Sequence, residues 1–112
     1  MRTRKGHNRA PYVAPLQLPE LEEGYPDLLA PGQSYDAMRF ADIDLSARDL
    51  AATAFLECEF LRVTMEDTEF RGARFSESRI EAAMASVFRL DRAALRDVIV
   101  SNSRLGVVEA SD

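Results

Sequence analysis

Residues 35–75 read YDAMRFADIDLSARDLAATAFLECEFLRVTMEDTEFRGARF, and an apolar side chain stands on every fifth position. The series Tyr35, Phe40, Leu45, Leu50, Phe55, Phe60, Met65, Phe70, Phe75 continues through Ile80, Ala85, Leu90, Leu95, Val100, Leu105 and Ala110. In a chain that is 46% apolar, an unbroken series of this length arises in one register with a probability on the order of 10⁻⁶. On an α-helix, five residues advance about 500°, so successive members land about 140° apart and form no stripe. On a flat strand, five steps alternate the faces. A chain that turns a corner of roughly 90° every five residues keeps all of them on one axis.

A second column tests the idea. Residues i and i−2 of an extended segment share a face, so the position two before each member should point inward and be small. Thr53, Cys58, Val63, Thr68, Ala73, Ser78, Ala83 and Ala93 fit; Met38, Arg48 and Phe88 are the exceptions. Charge gives a third test: from residue 35 onward there are 15 acids and 10 arginines, and all but Arg48 fall at outward positions. Buried unpaired charge is expensive, so a tubular core demands this sorting.

The units Ile43-Asp44-Leu45-Ser46-Ala47, Ala73-Arg74-Phe75-Ser76-Glu77 and Ala93-Ala94-Leu95-Arg96-Asp97 resemble the A(D/N)LXX unit of pentapeptide-repeat proteins. The resemblance implies an all-β fold, a right-handed quadrilateral β-helix, with about four coils over residues 35–112. Its columns are Phe40, Phe60, Ile80, Val100; Leu45, Met65, Ala85, Leu105; Leu50, Phe70, Leu90, Ala110; and Tyr35, Phe55, Phe75, Leu95.

Residues 1–34 differ in composition. All five prolines lie there, so the segment is read as an irregular N-terminal arm or cap. It starts basic (Arg2, Arg4, Lys5, Arg9), and its leucines are expected to fold over the open top of the first coil. At most single helical turns are expected around Glu20 to Glu23 and Pro26 to Leu29. Arg48 is expected to reach solvent through a widened corner near Ser46 to Asp49, beside acids of the arm. The chain stops at Asp112 without a cap, which reads as a fragment of a longer repeat protein or an end paired in an oligomer.

Chemistry is sparse. The net charge of −5 and pI near 4.9 argue against direct nucleic-acid binding. With one cysteine and no long apolar run, the expectation is a cytoplasmic protein without disulfide or membrane span. His7, the only histidine, lies in the arm, and Cys58 falls at a small inward position. No catalytic group, metal site or cofactor site is expected.

The expected function is therefore a non-enzymatic protein-interaction or scaffold module. Its partner contact is placed at Met84, Val87, Ile99 and Val107, which are outward by register yet apolar. Val87 and Val107 stand one coil apart and should stack. The expected partner is a second copy, giving a homo-oligomer, or part of a larger assembly. The alternative comes from the resemblance: a DNA-mimicking modulator or protector of DNA gyrase or topoisomerase. Its acidic surface would comprise Asp44, Asp49, Glu57, Glu59, Glu66, Asp67 and Glu69. Residues 35–70 carry nine acids against three arginines, and residues 71–112 six against seven.

Overall fold

Each fifth residue turns the chain. The computed structural model describes residues 16–109, with side chains through residue 106. From Ala37 to Asn102, φ is positive at every i+2 position except Val87, with values from 48° at Glu77 to 71° at Gly72. Left-handed backbone costs an L-residue about 1–2 kcal/mol. The cost is offset because the corner N–H is delivered to the next coil: Ala37 donates to Leu56 O, Asp42 to Leu61 O and Ala47 to Glu66 O, each at 2.9 Å.

The segments between corners are short strands: β1 (Glu22–Glu23), β2 (Ser34–Asp36), β3 (Met38–Ala41), β4 (Ala54–Leu56), β5 (Glu59–Leu61), β6 (Thr68–Glu69), β7 (Arg74–Ser76), β8 (Arg79–Glu81), β9 (Met84–Arg89), β10 (Ala94–Arg96), β11 (Ile99–Ser101) and β12 (Arg104–Glu109). They stack in parallel into three sheets, ordered β1-β3-β5-β8-β11, β2-β4-β7-β10 and β6-β9-β12. Most partners are twenty residues apart, as in Phe40↔Phe60↔Ile80 and Tyr35↔Phe55↔Phe75. Bridges Asp44↔Thr64↔Met84 and Asp49↔Glu69 complete two further sides in the early coils. The result is a four-sided β-solenoid of about four turns.

The axis is filled by the five-residue series. Phe40, Leu45, Leu50, Phe55, Phe60, Met65, Phe70, Phe75 and Ile80 are buried. Phenyl rings stack down two of the four columns, with Phe55–Phe75 at 5.1 Å and Phe40–Phe60 at 5.4 Å. Edge contacts such as Phe55–Phe60 at 5.0 Å join the columns. Each fully buried large side chain contributes about 1.5–3 kcal/mol. The second column is small and satisfied: Thr53 Oγ1 donates to Leu50 O (2.8 Å), Thr68 Oγ1 to Leu45 O (2.7 Å) and Ser78 Oγ to Ser76 O (2.8 Å). Buried hydroxyls therefore keep their partners.

The arm covers the first coil. Glu22 and Glu23 form a strand paired with Met38 and Arg39, where at most a helical turn is expected from the sequence, because the edge of β3 offers these residues backbone partners. A 3₁₀ turn does form at Pro26–Leu28. Leu29 is buried, whereas Leu28 and Tyr25 are exposed. Gly24 lies flat on the Phe40 ring, where an added Cβ would come within 2.4 Å of a ring carbon. Tyr35 fixes the arm, its hydroxyl accepting the Ala30 N–H and donating to Leu28 O, both at 2.8 Å.

Arg48 needs no widened corner. Ala47 keeps φ at 62°, and Arg48 Nη2 donates to Pro26 O at 2.7 Å and Leu29 O at 3.1 Å. It meets carbonyls of the arm, not its acids, because the 3₁₀ turn leaves those acceptors directly above it.

Candidate interaction surface

The acids nearest the turns work locally. A carboxylate just before the axial residue can accept the N–H two positions on. Asp44 Oδ1 takes the Ser46 N–H at 2.9 Å, Asp49 Oδ1 takes Ala51 at 3.1 Å and Glu69 Oε2 takes Arg71 at 3.1 Å. Hydrogen bonding from the Ser46 side chain and then from its backbone N–H holds the Asp44 carboxyl below the usual carboxylate range. Such bonds stiffen the corner they precede.

Other acids pair between coils. Glu59, only 7% exposed, lies between Arg39 at 2.9 Å and Arg79 at 3.6 Å. Arg62 binds Asp42 in a fork at 2.6 and 3.0 Å. Arg89 reaches Asp67 at 2.7 Å. Of the seven acids singled out in the sequence, Asp44, Asp49, Glu66, Asp67 and Glu69 gather on two neighbouring sides. Glu57 and Glu59 lie by the diagonally opposite corner, so the set is not one continuous face.

Glu66 has the most specific task. Its Oε1 accepts the Ser86 N–H at 2.6 Å and its Oε2 the Val87 N–H at 3.2 Å. Here the corner is missing, and β9 runs through Ser86 and Val87 in one six-residue strand. The shape of these residues explains the opening. Val87 is β-branched, for which positive φ is a severe strain. Phe88 fills the inward slot that Thr68 occupies one coil earlier and meets the Phe70 ring at 5.7 Å. A cleft of about 370 Å³ lies alongside, lined by Thr64, Glu66, Met84, Ala85, Ser86, Arg104 and Gly106.

The apolar contact residues separate. Met84 is 54% exposed and Ile99 41% exposed, on adjacent sides. Val87 is half-buried. Val107 contributes a described backbone only, and its side chain lies outside the described residues. The expected stacking of Val87 on Val107 is not the register found: Val107 pairs with Phe88 while Leu105 pairs with Ala85. One residue is absorbed in the opened corner, which shifts the ladder. Leu95 and Val100, outermost members of their columns, are 50% and 48% exposed.

Among the described residues no group of three or more His, Cys, Asp and Glu could hold a metal. His7 lies outside them. Cys58 is buried, its thiol directed at Leu56 O and Tyr35 O at 3.4 and 3.6 Å, and burial pushes its pKa up. No helix among the described residues is long and apolar enough to cross a membrane.

Sequence reading missed the tasks of Glu66 and Arg48. Val87 at a left-handed position, followed by Phe88 at a small one, was the available signal for Glu66. Compared with known proteins, the chain finds no significant match to a family model, a curated protein or a solved structure.

Proposed function

We propose that the chain is a pentapeptide-repeat protein that serves as a non-enzymatic interaction or scaffold module in the cytoplasm. A protein partner, or a second copy, would meet the wall around Met84 and Ile99. The carrying observation is the exposure of these two large apolar side chains at outward positions of two adjacent sides, with Met84 in the strand that runs through the opened corner. Exposed apolar groups clustered within a polar rim are the usual mark of a protein contact. The family assignment is supported by the five-residue turn, the four sides and the Asp44 and Asp49 caps.

The second reading is a DNA mimic directed at gyrase or topoisomerase. It is favoured by the gathering of Asp44, Asp49, Glu66, Asp67 and Glu69 on two neighbouring sides. Against it, Glu66 is committed to backbone donors and Asp67 to Arg89. A mimic needs its charge free to face a partner.

The full chain and a Met84→Glu/Ile99→Glu variant, both checked for fold by circular dichroism, should be compared as bait and by native mass. Loss in the variant of a partner held by the parent, or of a dimer mass, supports the contact. Identical partners and mass in both would sink it. Binding of purified gyrase subunits, weakened by Asp44→Asn/Asp49→Asn but not by the apolar pair, would select the mimic.

A further inference from the structure

Ser86 and Val87 present two successive N–H groups to the same acceptor, which an extended strand does not do because its groups alternate in direction. The arrangement is that of a β-bulge, one extra residue in one strand of a pair. The ladder agrees, since Ala47 donates one coil on to Glu66 O, nineteen positions later, but Asp67 donates to Val87 O, twenty later. We propose that Glu66 is a positioning residue whose carboxylate holds the Ser86–Val87 corner open and so sets the continuous six-residue strand β9 that presents Met84.

The corner has two obstacles to closing, the β-branch of Val87 and the buried ring of Phe88. The open form turns two donors towards the preceding coil. A bidentate carboxylate is the one side chain that satisfies both with charge-assisted bonds. In the same column the other residues are Ser46, Ser86 and Gly106, so the carboxylate stands under the one corner among residues 37–102 that lacks the left-handed turn. The next coil is shaped to match: a Cβ on Gly106 would lie 2.3 Å from Ser86 O. The bulge is thus accommodated from below by Glu66 and from above by a glycine.

Its bearing on partner binding rests on reading the wall around Met84 as a contact. The decisive measurement involves no partner, so the latch and the contact can fail separately. Amide exchange is followed by NMR on the full chain, on Glu66→Ala and on the near-isosteric Glu66→Gln. In the unmodified chain the Ser86 and Val87 amides should be protected. In Glu66→Ala both should exchange on the order of 10- to 100-fold faster, as for loss of a hydrogen bond to a charged acceptor. Glu66→Gln should lie between, and Arg62 and Ala82 should change little. If the two amides of the unmodified chain exchange as in an unfolded chain, the latch does not exist, whether or not either variant folds. Unchanged protection in Glu66→Ala, or an equal loss throughout the solenoid, would also overturn the proposal.

Discussion

Arg48 is tied to Pro26, twenty-two residues earlier, by a 2.7 Å bond from its guanidinium to the prolyl carbonyl. The side chain that broke the sequence pattern therefore seals the arm to the first coil. A hydrogen bond from a charged donor contributes about 1.5–3 kcal/mol, reduced here because Arg48 is only half-buried. Arg48→Thr should then cost about 1–2 kcal/mol in urea unfolding. Unchanged or increased stability would show that the arm holds without it.

Phe70→Asp and Glu69→Lys test the direction of neighbouring side chains. Phe70 is fully buried against Phe75 and Phe88, and a lone carboxylate there costs several kcal/mol. That variant should not fold. Among the described residues the Glu69 carboxylate accepts only the Arg71 N–H, so its replacement should cost about 0.5–1 kcal/mol. Equal tolerance of both, judged by circular dichroism and thermal midpoint, would reverse the inward assignment.

Acid should weaken the solenoid partly through Asp42. Its carboxyl is held below its ordinary range chiefly by the hydrogen bond from Arg62; burial opposes that shift, and the Arg62 charge adds a lesser lowering. A carboxyl with a lowered folded pKa adds stability above its unfolded pKa and loses it as pH falls through the folded one. Arg62 stays charged throughout. The difference between the parent and Asp42→Asn should therefore be present at neutral pH, begin to shrink near pH 4 and vanish only once the pH is below the lowered folded pKa. It should shrink with salt, as the pair is exposed. A difference that persists unchanged in acid would mean that the pair is not its source.

The axial residues were legible because burial imposes one requirement, repeated every five positions, and Phe55 or Phe70 announces it alone. The opened corner was not, because a register built on the inward series assigns Ser86 and Val87 by counting and assumes every corner alike. Only the conformational preference of Val87, read together with the size of Phe88, carried the exception. The pairing of Glu22 with Met38 had no periodic signal either, since two residues between prolines are too few to show one. For the acidic set, sequence gave sign but not engagement: Glu59 and Glu57 are equally charged, yet Glu59 is enclosed by two arginines.

Two glycines separate conformational need from steric need. Gly72 turns a corner at φ +71° with nothing within 4 Å of an added Cβ, and the residue one coil earlier in that position, Ala52, holds φ at 60°. Gly72→Ala should thus fold normally, at a cost of about 1 kcal/mol. Gly106 is needed for another reason. An added Cβ would sit 2.3 Å from the backbone oxygen of Ser86, an atom that no rotamer change can move. The strand β12 would have to lift away, breaking its pairing with β9 beyond Leu105, while the columns under Phe60 and Phe75 stay packed. Gly106→Ala should therefore cost more than Gly72→Ala, and its loss of amide protection should concentrate in β12 and the Ser86–Val87 corner. Equal costs, or a loss spread evenly over all coils, would mean that the close approach of Gly106 to Ser86 is not what holds the last strand in register.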